Sequence, residues 1–189
     1  MTVSLDEYTR SETLADYACP GCSSHSTIKR MRIGRPPTAL VFHFSRQFYT
    51  GYGEAKLRSF VDFPLEFNLH RYSYDHDTPD SADTSSASGS NSTSSSSSSS
   101  KSTDAGLLAN WLYNLQAVVV HLGESGAGHF VTYRRFWQRS SRETSGDCLL
   151  HKSGYCWVKN DDACTTAIEE REVLAAQAYI LLYEKAWSL

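Results

Sequence analysis

His129 has the clearest capacity for chemistry in this sequence, because it follows a glycine-rich segment and precedes an aromatic one. Residues 123–128 (GESGAG) predict a flexible turn, and residues 130–136 predict a strand. A histidine at such a junction can lie at the edge of a cleft, where one ring nitrogen faces a substrate and the other an orienting group. The chemistry expected there is general-base catalysis, and the alternative is a histidine in the core or on the surface.

A polar cluster of Asn160, Asp161 and Asp162 follows an apolar and aromatic segment later in the chain. Each of these side chains can accept a hydrogen bond from an imidazole and fix its tautomer, as the third member of a catalytic triad does. Taken alone, an Asn-Asp-Asp sequence is typical of a turn. Its position after a hairpin histidine makes a catalytic arrangement the stronger interpretation.

The elements that must position these residues are short strands on both sides of a serine-rich tract. Before the tract, the sequence predicts a helix over 5–16 and strands over 28–33, 39–46, 57–62 and 66–69. After the tract, it predicts strands over 115–122, 130–136, 156–159 and 178–183 and a helix over 169–177. The expected fold class is α+β, mainly antiparallel sheet with few short helices.

The serine-rich tract has almost no apolar residue with which to form a core, so it predicts a disordered insertion. Closing a long loop costs little more than closing a shorter one, because loop entropy grows only logarithmically with length. The two flanks can therefore belong to one domain. The expected division is 1–77, an inserted segment over 78–104, and 105–189.

Composition excludes several classes of function. The 189 residues are 40% hydrophobic and carry a formal net charge of −3, so there is no polybasic field for nucleic acid or membrane. The longest apolar stretches, 117–120 and 178–182, are far shorter than the ~20 residues that span a bilayer. The N-terminus also lacks a basic-then-apolar signal pattern. The expectation is a soluble, intracellular protein without a transmembrane segment.

The cysteines number five, and an odd number argues against a disulfide framework, so reduced thiols are expected. Cys19 and Cys22 form a Cys-x-x-Cys knuckle that could bind zinc, but structural zinc needs four ligands. His25 is a conceivable third ligand, although a solvated loop histidine is the favoured interpretation. The remaining cysteines are Cys148, Cys156 and Cys164.

Several motifs together resemble the ubiquitin-specific protease family of cysteine deubiquitinases. In the second half they are Gly128-His129-Phe130 with Tyr133, Trp157 with Asn160-Asp161-Asp162, and AYILLY over 178–183. In the first half they are Tyr17-x-Cys19-x-x-Cys22, Lys29, Pro36-Pro37-x-x-Leu40-x-x-His43-x-x-Arg46, Lys56 and Val61-x-Phe63-Pro64. The resemblance covers nearly the whole chain outside the insertion, and is closest to the branch containing the mitochondrial deubiquitinase and its fungal relatives.

The resemblance implies the C-terminal, histidine-box portion of a papain-like fold, with a palm and partial fingers. It implies hydrolysis of the bond after the ubiquitin C-terminal glycine by a cysteine thiolate, with ubiquitin or ubiquitinated proteins as partners and no nucleic acid. His129 is then the base. Counting from Trp157 makes Asp161 its orienting residue, whereas counting back from the Asp-Asp pair makes it Asn160, which is slightly preferred.

The same resemblance suggests which residues meet the substrate. Gly128, Phe130, Tyr133 and Trp157 are candidates to line the channel for the ubiquitin tail, although Tyr133 could equally pack the palm. The glycine-rich segment 123–128 resembles a loop that reshapes over that tail.

The departures from the family pattern concern the nucleophile and the metal. The family's cysteine box lies near the start of its domain, and none of the five cysteines here has that position, so the chain alone is expected to be inactive. Catalysis needs no cofactor, and structural zinc is expected only if a second cysteine pair is supplied upstream. The expected compartment is cytoplasmic, with mitochondrial or other membrane association left open for a full-length form. A non-catalytic ubiquitin-binding module is the alternative function, whereas a zinc-ribbon protein has too few ligands.

Overall fold

A computed structural model describes residues 1–22, 25–74, 110–137 and 154–186 of the chain. These residues belong to two compact units. The first contains Met1 and, of the described residues, 37–67, 113–137 and 154–185; the second contains 2–22, 25–36, 68–74, 110–112 and 186. The predicted insertion over 78–104 lies outside the described residues, and the three-part division of the chain stays a prediction.

The described elements are mostly strands. In chain order they are α1 (Thr2–Tyr8), β1 (Glu12–Leu14), β2 (Thr27–Lys29), β3 (Ala39–His43), β4 (Gln47–Thr50), β5 (Gly53–Lys56), β6 (Glu66–Asn68), a 3-10 turn (His70–Tyr72), β7 (Leu112–Glu124), β8 (Ala127–Trp137), β9 (Tyr155–Asp161), β10 (Cys164–Ile168), α2 (Glu170–Leu174) and β11 (Ala178–Lys185). The predicted fold class, mainly antiparallel sheet with few short helices, is confirmed.

The first unit is organised around a seven-stranded sheet. Its strands follow the order β10-β9-β8-β7-β11-β3, with neighbours antiparallel, and β6 also pairs with β7. One face of the central strands carries fully buried side chains such as Val118, Leu181 and Val131. Burying such side chains is the main favourable contribution to stability, at roughly 1.5–3 kcal/mol each. The sheet that carries His129 is therefore held by its own core.

Two buried tyrosines join the sheet to the segments that flank it. Tyr113 donates its hydroxyl to the carbonyl of Pro37 at 2.6 Å, and Tyr183 donates to that of Pro64 at 2.7 Å. The ring of Tyr183 also packs edge-on against Phe42 at 5.9 Å. A buried hydroxyl needs such a partner, because an unpaired polar group in a core costs about 1–3 kcal/mol.

The second unit is smaller. Its strands β1 and β2 form an antiparallel pair, and the chain near Ile33 forms a parallel bridge with Ser73. Tyr72 donates its hydroxyl to Asp6 at 3.1 Å. Within the described ranges, no helix of either unit is long and apolar enough to cross a membrane.

Several predicted elements differ from the structure. The helix expected over 5–16 ends at Tyr8, because Glu12 pairs with Lys29 in the β1–β2 ladder. Residues 57–62 form no strand; instead, the carbonyls of Leu57 and Ser59 accept hydrogen bonds from Arg46. In both places, tertiary pairing overrides a local propensity.

Two hairpins were not predicted. The β4–β5 hairpin turns through residues 51–52, with Thr50 paired to Gly53. The β9–β10 hairpin turns through residues 162–163, with Asp161 paired to Cys164. Thus Asn160 and Asp161, which by themselves are typical of a turn, are the last residues of a strand.

Candidate active site

The β7–β8 hairpin places His129 within a strand and not in a flexible turn. Leu122 pairs with His129, and the ladder continues to Glu124 and Ala127, so only residues 125–126 form the turn. Gly126 has a φ of 80°, a conformation that glycine adopts without strain. The predicted turn over 123–128 is therefore too long, and the ordered strand pairing fixes the backbone of His129.

Gly128, immediately before the histidine, must be glycine for a steric reason. A Cβ atom there would lie 2.2 Å from Nε2 of His121 and 2.3 Å from the carbonyl oxygen of Leu122. Real Cβ contacts are never that short, and the Leu122 oxygen belongs to the paired strand. The glycine thus allows β8 to approach β7 closely beside His129.

Strand β9 brings a carboxylate to the imidazole. Tyr133 lies opposite Lys159, and because side chains alternate along strands, His129 and Asp161 share one face of the sheet. Nε2 of His129 lies 2.6 Å from Oδ1 of Asp161. Asn160 has the opposite orientation, and its Oδ1 accepts a hydrogen bond from Thr165 at 3.1 Å. Of the two predicted orienting residues, Asp161 contacts the ring and Asn160 does not.

A lysine completes the carboxylate's environment. Nζ of Lys159 lies 2.9 Å from Oδ2 of Asp161, so the two carboxylate oxygens have different partners. The hydrogen bond from Lys159, and then that from His129, lowers the pKa of Asp161, while Asp161 raises the pKa of Lys159. Lys159 was not predicted, although its position two residues before Asp161 on a strand puts both on one face.

The arrangement leaves Nδ1 of the imidazole available. Across the described segments, Asp161 is the only hydrogen-bond partner of the His129 side chain. With an ionised carboxylate at Nε2, the favoured neutral tautomer carries its proton there, and Nδ1 can accept a proton from another group. The pair is half-exposed, at 42% for His129 and 37% for Asp161, so a partner can reach it.

The same residues could in principle hold a metal ion. Ligand atoms of His129, Asp161 and Asp162 lie within 4.8 Å of one another, the one such group among the described residues. However, the ammonium of Lys159 already occupies one oxygen of Asp161 and repels a cation. The site therefore favours proton transfer between organic groups.

A cavity of about 280 Å³ lies beside the turn of this hairpin. Predicted substrate-contacting residues Gly128 and Phe130 line it. The Phe130 ring is 53% exposed and packs against His121 at 4.7 Å and Tyr179 at 5.6 Å. His121 and Tyr179 were given no role in the sequence, because their contact with Phe130 depends on the strand order.

The other two predicted wall residues are placed differently. Trp157 is 2% exposed, because it pairs with Arg135 on one side and Ile168 on the other in the interior of the sheet. Its side chain is thus buried in this chain, and its role in lining a channel stays a prediction. Tyr133 is half-buried opposite Lys159 and is not among the residues of the cavity.

The cysteines separate into free and bonded ones. Cys19, Cys22 and Cys164 are free, whereas Cys156 is disulfide-bonded, so the expectation of reduced thiols is wrong for Cys156. Backbone hydrogen bonds from Gly21 and Cys22 lower the pKa of Cys19. The predicted half zinc site at Cys19 and Cys22 stays a prediction, and Cys148 lies outside the described residues.

Comparison with known proteins defines the family. Residues 5–183 match the model of the family described as ubiquitin carboxyl-terminal hydrolase. Because this match covers most of the chain, the chain belongs to the ubiquitin carboxyl-terminal hydrolase family. The sequence-based recognition of ubiquitin-specific proteases is thereby confirmed, while the placement near the mitochondrial branch stays a prediction.

Individual relatives of the chain carry names from the same family. The chain is 29% identical to ubiquitin carboxyl-terminal hydrolase 27 of Arabidopsis thaliana over 167 residues, 88% of this chain and 31% of that protein. It is 26% identical to ubiquitin carboxyl-terminal hydrolase 8 of Saccharomyces cerevisiae over 183 residues, 95% of this chain and 31% of that protein.

A solved structure agrees as well. The chain matches one chain of the solved SAGA Ubp8/Sgf11/Sus1/Sgf73 DUB module bound to ubiquitin aldehyde, with a TM-score of 0.63 and 25% identity. The match covers 100% of this chain and 34% of the matched chain. The chain thus spans about a third of the length of the proteins that it matches.

Proposed function

We propose that this chain supplies the histidine and carboxylate side of a cysteine deubiquitinase site, which hydrolyses the bond after the C-terminal glycine of ubiquitin. The observation that carries the proposal is the 2.6 Å contact between Nε2 of His129 and Oδ1 of Asp161. A half-exposed imidazole that is oriented by an ionised carboxylate is the arrangement that activates a nucleophile.

The chemistry proceeds in two stages. Nδ1 of His129 takes the proton of a cysteine thiol, and the thiolate attacks the carbonyl carbon after the ubiquitin glycine. The C–N bond then breaks as the imidazolium returns its proton to the leaving amine. In the second stage, His129 deprotonates a water molecule that cleaves the thioester and releases the thiol. Throughout, Asp161 holds the ring through Nε2.

We propose that the thiol in this scheme is supplied from outside the 189 residues. Among the described cysteines, none is within hydrogen-bond distance of His129, and Cys156 is already bonded. Cys19 and Cys22 belong to a knuckle in the second unit. We therefore propose that this chain by itself has no hydrolytic activity.

Two features support ubiquitin as the substrate. The family match concerns ubiquitin hydrolases, and the similar DUB module was solved with ubiquitin aldehyde bound.

The test uses a ubiquitin C-terminal fluorogenic amide. The isolated chain should release no fluorophore, and a ubiquitin-vinyl probe should capture none of its cysteines. When the chain is fused behind the cysteine-box segment of its Arabidopsis relative, giving the joined protein, both reactions should occur. Turnover or capture by the isolated chain would contradict the proposed origin of the thiol, and an inert but folded joined protein would contradict the proposed function.

The alternative function, a non-catalytic ubiquitin-binding module, gives a different result. In that case, the isolated chain should bind ubiquitin in a titration followed by NMR, while the joined protein stays inert. The pairing of His129 with Asp161 favours the enzyme, because binding alone has no chemical need for an oriented base.

A further inference from the structure

Three charged residues at alternate positions in and after β5 contact the β7–β8 turn region. Glu54 accepts a hydrogen bond from the Ser125 hydroxyl at 2.9 Å, and Arg58 forms an ion pair with Glu124. Between them, Lys56 binds the backbone of the same hairpin. Because side chains alternate along an extended chain, three residues at a spacing of two lie on one side. The sequence Glu-x-Lys-x-Arg therefore presents its charges together to this turn.

Lys56, unlike Glu54 and Arg58, contacts the backbone of the hairpin. Its Nζ donates to the carbonyl of His121 at 2.7 Å and to that of Gly123 at 2.9 Å. The β11 ladder on β7 stops at Val120, so these carbonyls lie beyond the part of β7 that β11 covers. Charge-assisted hydrogen bonds from an ammonium are about twice as strong as neutral ones. Lys56 thus holds the end of β7 on the side where the β11 ladder has stopped.

The two carbonyls flank the residue that faces the proposed base. Leu122 lies between His121 and Gly123 and is the cross-strand partner of His129. Displacement of this part of β7 would shift the backbone of His129 relative to β9, which carries Asp161. The contact between the imidazole and the carboxylate depends on the position of the His129 backbone relative to β9.

We propose that Lys56 is a positioning residue for His129, acting by fixing the end of β7 through the carbonyls of His121 and Gly123. Its consequence for catalysis rests on the proposed function, whereas its effect on the His129–Asp161 contact does not. The contact can therefore be measured in the isolated chain without ubiquitin.

The first measurement is the downfield Nε2–H proton resonance of His129 in NMR spectra of the chain, assigned by its loss in His129→Ala. It should be present in the wild type and in Lys56→Arg, which keeps a charged donor, and broadened beyond detection in Lys56→Met. Lys29→Met is the matched control, because Lys29 is an exposed lysine paired with Glu12 and should leave the resonance unchanged. An unchanged resonance in folded Lys56→Met would overturn the proposal.

If Lys56→Met does not fold, Lys56→Gln decides the question by the same resonance. Glutamine keeps a donor but no charge, so the Nε2–H signal should weaken in a chain that still folds. A signal of wild-type intensity in folded Lys56→Gln would equally overturn the proposal.

An activity measurement separates this inference from the proposed function. In the joined protein, Lys56→Met should lower kcat by about tenfold, with KM changed less, because a small misplacement of a catalytic group costs about that much or more. If the wild-type joined protein is inert while the resonance responds as expected, the proposed function fails and the role of Lys56 stands. If the protein is active and Lys56→Met changes neither kcat nor the resonance, only the role of Lys56 fails.

Discussion

The imidazole of His129 and the carboxylate of Asp161 are the two groups on which the proposed chemistry depends, and their alignment follows from sheet register. Sequence order alone suggested a histidine and a later polar cluster, but it could not separate Asn160 from Asp161. Adjacent residues of a strand point to opposite faces, so a shift of one residue in register exchanges their roles. The register of β9 against β8 settles which side chain contacts the ring.

The first prediction compares these neighbours by mutation. In the joined protein, Asp161→Ala should lower kcat by about a hundredfold or more, because the imidazole loses its orienting acceptor. Asn160→Ala is the control and should change kcat by less than about threefold, since Asn160 contacts Thr165 and not His129. Equal effects of both substitutions on ubiquitin-amide turnover would argue against Asp161 as the orienting residue.

The second prediction concerns the titration of Asp161. Lys159 and then His129 lower its pKa below the ordinary value of 3.8, because both favour the ionised carboxylate. Because the pKa of Asp161 is lower in the folded chain than in the unfolded chain, its contacts with Lys159 and His129 stabilise the fold at pH values above the unfolded-state pKa. This stabilisation is lost as the pH falls through the folded-state pKa. Carboxyl carbon NMR should give a midpoint below that of a model peptide, and Lys159→Met should raise it. A midpoint that Lys159→Met leaves unchanged would refute the stated cause.

Strand pairing, at the scale of the elements, explains both the successes and the failures of sequence-based prediction. The strands over 39–46, 115–122, 130–136, 156–159 and 178–183 were recognisable because their apolar residues cover a core. The β4–β5 hairpin was missed because its residues are mostly exposed and lack a hydrophobic pattern. The predicted turn over 123–128 was too long because Gly123 and Gly128 are paired strand residues whose missing side chains allow close packing of β7 and β8.

The third prediction tests the role of Gly128. Gly128→Ala should lower the free energy of unfolding by about 1–3 kcal/mol, because the added Cβ overlaps the Leu122 carbonyl and His121. Gly51→Ala is the control, because a Cβ at Gly51 has no neighbour within 4 Å and should have little effect. Urea unfolding of the isolated chain measures both, and equal stability of the two variants would show that β7 and β8 are not closely packed there.

Exposed apolar residues on the sheet of the first unit affect the tendency of the whole molecule to associate. Val41 is 56% exposed, and its cross-strand partner Leu182 is 36% exposed. Phe130 and Phe136 on β8 are also exposed. The sequence predicted these strands but not which residues would remain uncovered, because that depends on which face each strand buries. Neighbouring exposed apolar side chains favour association.

The fourth prediction follows from that surface. The isolated chain should self-associate as its concentration rises, and replacing both Val41 and Leu182 by lysine should reduce the mass measured by light scattering during gel filtration. Val3→Lys is the control, because Val3 is an exposed apolar residue of α1 outside this sheet. Association that is identical in the double variant and the wild type would place the contact elsewhere.

The fifth prediction measures the central claim most directly, through turnover of a ubiquitin C-terminal amide by the joined protein with and without His129. His129→Ala should reduce kcat by at least about a hundredfold while leaving the circular dichroism spectrum unchanged, because the proposed mechanism assigns the thiol proton to His129. His25→Ala, at an exposed histidine of the second unit, should keep wild-type turnover. Wild-type turnover in a folded His129→Ala protein would contradict the assignment of His129 as the base.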